Sequence, residues 1–305
     1  MNIGQMSLQE TLRHTSSNQG LCFEVGPFTV RLRSKEQGFI QTFRDLYFDF
    51  PVIANDRLID FYIDMVAPRN LRRWVRPQII AIIDGQVPFL PFATSYAMPL
   101  FEWAFNWCIA RNVQHFLMLH AAVLEKQGKA LILPATPGSG KSTLASALAH
   151  RGWRFLSDEF CLIHLTDGQV IPIPRPTPLK NESIDVIRHF ADGAFIGPLF
   201  EKTRKGTIGH VRAPSASTQQ MKTTATPTWV VFPQYDSGSE VIMEPFDKAS
   251  AFLKLASNSF NYTLLGEKSF NSIKAIIESC DCYNLSYSNL DHVIARLDKL
   301  VGHVE

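Results

Sequence analysis

The run Ala135-Thr-Pro-Gly-Ser-Gly-Lys141-Ser142-Thr143 constrains this chain more than any other feature. An apolar, strand-like segment, Ala130–Leu133, leads into it, and a helix-like segment, Ser142–Arg151, leaves it. The run fits GxxxxGK[ST], with alanine in place of the first glycine. Gly138 and Gly140 permit backbone turns that a side chain would block. The freed N–H groups can then wrap a phosphate chain, and the helix N-terminus adds positive potential at the same place. Lys141 supplies a cation for the β- and γ-phosphates, and Ser142 offers a hydroxyl to Mg²⁺. Thr136, Pro137, Gly138, Ser139, Gly140, Lys141, Ser142 and Thr143 are therefore the candidate nucleotide contacts. The bland alternative, a glycine-rich surface turn with one lysine, does not account for the flanking strand and helix.

A bound nucleotide needs an acid for its metal. The next predicted strand, Arg154–Ser157, ends in Asp158-Glu159. In a parallel sheet that strand end lies beside the phosphate loop, so the two acids are candidates for holding Mg²⁺ and activating a nucleophile. His120 opens the strand before the one feeding the loop. From spacing alone, such a histidine is more often a satisfied core or edge residue than a site residue.

The 305 residues balance 30 Lys and Arg against 28 Asp and Glu, too even for a protein that coats nucleic acid. At 46% hydrophobic the chain has ample core and is not a disordered one. No apolar run approaches the ~20 residues a bilayer requires, and the first twenty residues carry no apolar signal core. The five cysteines form no even disulfide framework, and Cys280-Asp-Cys282 has no partner pair for a metal. A cytoplasmic protein without membrane or nucleic-acid partners is expected, and a homo-oligomer is compatible with the sequence. Arg69, Arg72, Arg73 and Arg76 read more readily as a solvated surface than as a binding patch, and Lys180 fits a helix start as well as a site.

Residues 1–95 read as a small mixed α+β region with strands at Phe28–Arg33, Phe61–Val66 and Gln78–Ile83 and a helix at Glu36–Tyr47. The Pro-rich run Val87–Phe92 places a boundary near residue 95. Residues 96–305 alternate strands and helices, which predicts an α/β class. Within them, 197–227 is rich in Gly, Pro, Thr, Lys and Arg and reads as a loop or mobile region.

The stretch His120–Ile163 resembles the catalytic domain of HPr kinase/phosphorylase. The counterparts are His120-Ala-Ala-Val-Leu, Ala130–Leu133, the loop Ala135–Ser142, His150-Arg-Gly-Trp and Asp158-Glu159. The whole chain is similar to the HprK-related kinase A family. That likeness includes Glu102-Trp-Ala-Phe-Asn-Trp, Gly152–Glu159, Arg175-Pro-Thr-Pro-Leu-Lys180-Asn, Lys205-Gly-Thr-Ile and Asn258-Ser-Phe-Asn261-Tyr. It covers nearly all of residues 25–300.

The resemblance implies a phosphoenolpyruvate-carboxykinase-like P-loop kinase domain with a mixed central sheet. It makes Asp158 the base toward a serine hydroxyl, Glu159 and Ser142 (with Asp158) the Mg²⁺ ligands, and His120 a partner on the phosphate side, with Lys141 in the catalytic set. Two departures stand out. Glu159 replaces a second Asp, and the Gly-Arg-Pro-Gly-Arg segment of HPr kinases has no counterpart. In that region stands Lys202–Pro214, whose Lys205 or Arg212 would meet the transferred phosphoryl if the segment acts as a lid. The expectation is an ATP-dependent kinase acting on a hydroxyl, with a serine of a small protein or peptide as leading acceptor. A small-molecule kinase and a non-catalytic nucleotide sensor are the competing readings.

Overall fold

Period-two alternation shapes the strands Phe28–Ser34, Phe61–Val66 and Gln78–Ile83. Phe28, Val30, Leu32 and Ser34 are buried while Thr29, Arg31 and Arg33 are half-buried, as one covered sheet face requires. The computed structural model describes residues 1–71, 75–136 and 138–302; the candidate residues Arg72, Arg73 and Pro137 lie outside them.

In chain order the elements begin with α1 (Leu8–Ser16), β1 (Leu21–Val25), β2 (Phe28–Ser34), α2 (Gln37–Leu46), β3 (Phe61–Val66), β4 (Gln78–Ile83), β5 (Phe92–Ala93) and α3 (Ala97–Asn112). There follow β6 (Phe116–Lys126), β7 (Lys129–Pro134), α4 (Lys141–Ala149), β8 (Arg154–Ser157), β9 (Phe160–His164), β10 (Val170–Ile171), β11 (Thr177–Lys180) and α5 (Glu182–Phe190). After β12 (Phe200–Thr203) and β13 (Gly206–Val211) come α6 (Ser215–Gln219), β14 (Thr226–Tyr235), β15 (Ile242–Pro245), α7 (Lys248–Ser257), α8 (Tyr262–Leu265), α9 (Glu267–Ser279), β16 (Asp281–Tyr287) and α10 (Leu290–Gly302).

The chain divides into two compact units, Met1–Val113 with Phe195–Arg212, and Gln114–Ala194 with Ala213–Glu305. In the first, β1 to β5 form a sheet in sequence order, antiparallel except for the parallel pair β2–β3. Helix α3 follows the Pro-rich run near residue 95 yet packs on β3 and β4 of this unit. Phe23, Phe43, Tyr47 and Phe101 form its aromatic centre, with ring centroids 4.8–5.8 Å apart. Such edge and offset contacts suit the ring quadrupoles.

Residues 197–227, read from composition as a loop, instead carry the hairpin β12–β13 and the helix α6. The hairpin turn, Arg204-Lys205, lacks the usual Asn-Gly signal. Left-handed backbone is supplied on either side, by Lys202 (φ +57°) and Gly206 (φ +85°). The register shift between Thr203 and Phe200 further obscures any alternation.

In the second unit the strand order among the described residues is β10-β9-β6-β7-β14-β16-β15, with β8 also on β6. Strand β6 is the axis. It pairs antiparallel with β7 on one edge, and with β8 and then β9 along the other. Beyond β7, β14 runs parallel to both β7 and β16. The sheet is mixed, so the chain is a mixed α/β protein. The expected adjacency of the acid-bearing strand and the loop-bearing strand is corrected: β6 lies between them. Leu119, Ala121, Val123, Ile132, Cys161 and Val230 belong to one fully buried cluster that α7 and α9 cover. Near-continuous apolar strands such as Ala130–Leu133 are what a sheet covered on both faces demands.

Candidate functional site

Strand β7 delivers the chain to the phosphate-binding loop with Ala130 to Leu133 fully buried. The loop then uses left-handed backbone twice, at Gly138 (φ +91°) and Gly140 (φ +83°). Gly140 is the N-cap of α4, and its carbonyl accepts the Leu144 N–H at 2.9 Å. The first-turn N–H groups of α4 have no intrahelical acceptor, as at any helix start, and are open to an anion.

Lys141 and Ser142 open α4 and both meet Asp158. Lys141 Nζ lies 2.9 Å from Asp158 Oδ1 and also contacts the Asp158 carbonyl. Ser142 Oγ donates to Asp158 Oδ2 at 2.8 Å. Lys141 and Asp158 are only 8% and 6% exposed, so this is a buried ion pair with both carboxylate oxygens engaged. Asp158 sits in the break between β8 and β9, opposite the stretch of β6 whose other edge carries the loop end: Val123 pairs with Ser157, His120 with Phe160, and Ala121 with Pro134.

His120 Nε2 stands 3.9 Å from Glu159 Oε1. Burial, and next the Lys141 ammonium, lower the His120 pKa below the ordinary imidazole value; Glu159 and Asp158 act in the opposite direction. The Lys180 ammonium also acts, more weakly, to lower the His120 pKa. The structure thus brings His120, Lys141, Ser142, Asp158 and Glu159 together. Thr136 and Gly138 are exposed on the loop and Thr143 half-buried in the first turn of α4. Ser139 Oγ is buried without a hydrogen-bond partner among the described residues.

Lys205 and Arg212 belong to the first unit. Lys205 is exposed at the tip of the β12–β13 hairpin. The Arg212 guanidinium donates to the Asp45 carbonyl at 3.3 Å and lies over the Phe48 and Phe195 rings at 5.1 and 4.8 Å.

Other residues that shape the site lie outside the phosphate loop and the acid pair. The segment Asn258–Asn261 continues along the edge of β6 that β7 leaves. His120 N donates to Asn258 O at 2.7 Å and Phe260 N to Met118 O at 2.9 Å. Asn261 is buried; its Oδ1 accepts from Met118 N at 3.0 Å and its Nδ2 donates to Phe116 O at 2.9 Å. Asn261→Ala strands these two backbone groups. It should cost about 1–3 kcal/mol per group left unsatisfied, read as a lower urea midpoint at unchanged slope. An unchanged midpoint would show that this edge of β6 is held by other contacts.

A family model described as SynChlorMet cassette protein ScmC matches residues 101–180, the stretch that includes most of α3, then β6, the loop, Asp158 and Glu159. No curated protein matches the chain. Among solved structures, the Hpr(Ser) kinase/phosphatase from Coxiella burnetii is similar at 11% identity, covering 60% of this chain and 96% of that one, with a TM-score of 0.27. Likeness at that level assigns neither family nor activity, so the residues of the site carry the functional reading.

Proposed function

We propose that this chain is an ATP-dependent kinase that moves the γ-phosphoryl of Mg-ATP to a hydroxyl, with a serine of a small protein or peptide as the acceptor class. The observation that carries this reading is the joint engagement of Asp158 by Lys141 and Ser142 at the start of α4. A glycine-rich surface turn has no reason to bury a lysine against a carboxylate from the break between two other strands, because burying charges is costly unless it serves something.

The donor set fits the metal. The Ser142 hydroxyl and the Asp158 and Glu159 carboxylates are hard oxygen ligands, which Mg²⁺ favours. No cluster of three or more His, Cys, Asp or Glu suited to a metal occurs among the described residues. Mg²⁺ bound through one or two carboxylates plus substrate phosphates needs no such cage. When bound, the ion would supply charge neutralisation on the phosphates.

The chain's own residues then divide the work. The loop N–H groups and the N-terminus of α4 hold the phosphates. Lys141 exchanges Asp158 for phosphate oxygens, which frees Oδ1. Asp158 accepts the proton of the attacking hydroxyl, and Glu159 with Ser142 holds the metal side. His120, kept largely neutral by burial and Lys141, offers a hydrogen bond without adding charge. The carboxykinase-type architecture inferred from the resemblance, a cytoplasmic location, and a catalytic domain over 96–305 preceded by a smaller α+β region belong to this proposal.

The test is binding and transfer with labelled Mg-ATP, first on the wild type and then on Lys141→Ala. Losing charge-assisted bonds of about 1.5–3 kcal/mol should weaken ATP binding roughly 10- to 150-fold. Full ATP affinity and turnover in Lys141→Ala would remove the loop from the reading.

A further inference from the structure

A nucleotide in the loop has two ends, and the acids claim only one. Asp158, Glu159 and His120 lie on the β6 side of β7. On its other side β7 is flanked by β14, which runs parallel to it. Ligands of open α/β sheets sit beyond the carboxyl ends of such strands.

The carboxyl end of β14 is Tyr235, and it is built onto the loop. Its N–H donates to the Ser139 carbonyl at 2.9 Å. Its Cβ lies 2.9 Å from where a side chain on Gly140 would begin. Behind it, at the end of the next parallel strand, Tyr287 is 1% exposed and donates its hydroxyl to the Gly140 carbonyl at 3.2 Å. The two rings meet edge-on, with centroids 5.9 Å apart. Burial pushes the Tyr287 phenol pKa up, so it stays protonated and keeps that donor role. Tyr235, in contrast, is 47% exposed. One tyrosine therefore braces the loop, and the other presents an open aromatic surface fixed beside it.

We propose that Tyr235 is the stacking platform for the base of the bound nucleotide, so that the ligand class of this site is a nucleoside triphosphate rather than a bare polyphosphate. This rests on the reading that the loop takes phosphates. It extends that reading to the end of the ligand remote from the chemistry. A flat π-face recognises any base by area and quadrupole, and needs no hydrogen-bond code.

Calorimetric titration of Mg-ATP and of Mg-tripolyphosphate into the wild type, Tyr235→Ala and Tyr235→Trp tests it. Wild type should bind ATP more tightly than tripolyphosphate. Tyr235→Ala should lose about 5- to 150-fold in ATP affinity, the range for removing one stacked aromatic, with tripolyphosphate affinity unchanged. Tyr235→Trp should retain ATP binding, which shows that the position needs a ring and not a tyrosine. An equal loss for both ligands in Tyr235→Ala would overturn the proposal, because Tyr235 would then act only by holding the loop. Undiminished ATP affinity in that variant, or a wild type that binds the two ligands equally, would also overturn it and leave the loop reading standing. A wild type that binds neither ligand removes the loop reading itself, and this inference with it.

Discussion

Asp158→Asn is expected to lower phosphoryl transfer about 10²–10⁴-fold, the usual share of a general base, or roughly 3–5 kcal/mol of barrier. The side chain keeps its size and can still accept from Ser142 Oγ, now 2.8 Å from Oδ2. It loses the basicity that a carboxylate offers to a hydroxyl proton. It also turns an NH₂ or a neutral oxygen toward Lys141, whose Nζ lies 2.9 Å from Oδ1. The Asp158 carbonyl still accepts from Lys141, so the lysine is not left alone. Mg-ATP affinity should change far less than the rate, since Lys141 and the loop are intact. Glu159→Gln should behave in reverse and raise the Mg²⁺ needed before it slows transfer. Titrating Mg²⁺ against both variants reads the two roles separately. If Asp158→Asn recovers full rate at saturating Mg²⁺, then Asp158 is the metal ligand and Glu159 takes the proton.

The parts of this site that are legible in the sequence are those whose chemistry is local. Ala135–Thr143 announces itself because glycine, lysine and serine must fall at fixed steps where a strand turns into a helix. Asp158-Glu159 is found because it follows a short apolar strand. His120 is harder: its spacing predicts only an edge residue, and its place near Glu159 depends on β9 pairing beside it.

What is not legible is the order of strands in space. Nothing local says that β6 separates β7 from β8, or that β14 pairs with β7 across about ninety intervening residues. Tyr235 is consequently silent in the sequence, since it acts through a partner brought to it by the sheet, and Asn261, though part of the likeness at Asn258–Tyr262, gives no sign there of its bonds to β6. The return of residues 195–212 to the first unit is equally hidden. The hairpin β12–β13 is obscured by its glycines and by an Arg-Lys turn whose left-handed residues lie just outside it. In the opposite sense, Ser7 and Glu10 do spell a capping box at the start of α1, with Ser7 N donating to Glu10 Oε2 at 2.8 Å, yet the apolar content of that helix is too low for periodicity to declare it.

The two glycines of the loop separate backbone strain from steric exclusion, and they should not fail equally. Both have positive φ, +91° at Gly138 and +83° at Gly140. An alanine in either place meets the left-handed penalty of about 1–2 kcal/mol. At Gly138 a new methyl finds nothing within 4 Å among the described residues, so strain is the cost there. At Gly140 it would stand 2.6 Å from Tyr287 Oη and 2.9 Å from Tyr235 Cβ. Neither can retreat easily: Tyr287 is packed in the core, and Tyr235 Cβ is tied to its own backbone. Overpacking of this kind adds about 1–3 kcal/mol, so Gly140→Ala should destabilise by about 2–5 kcal/mol in all. The loop can relieve the clash only by moving away from the two tyrosines, which breaks the Tyr287–Gly140 hydrogen bond and displaces the first turn of α4. ATP binding should therefore be lost in Gly140→Ala, and merely weakened in Gly138→Ala. Urea unfolding and ATP titration on the two variants decide this. Equal losses in both would mean that the tyrosines yield to the methyl, and that the loop is held by its own backbone alone.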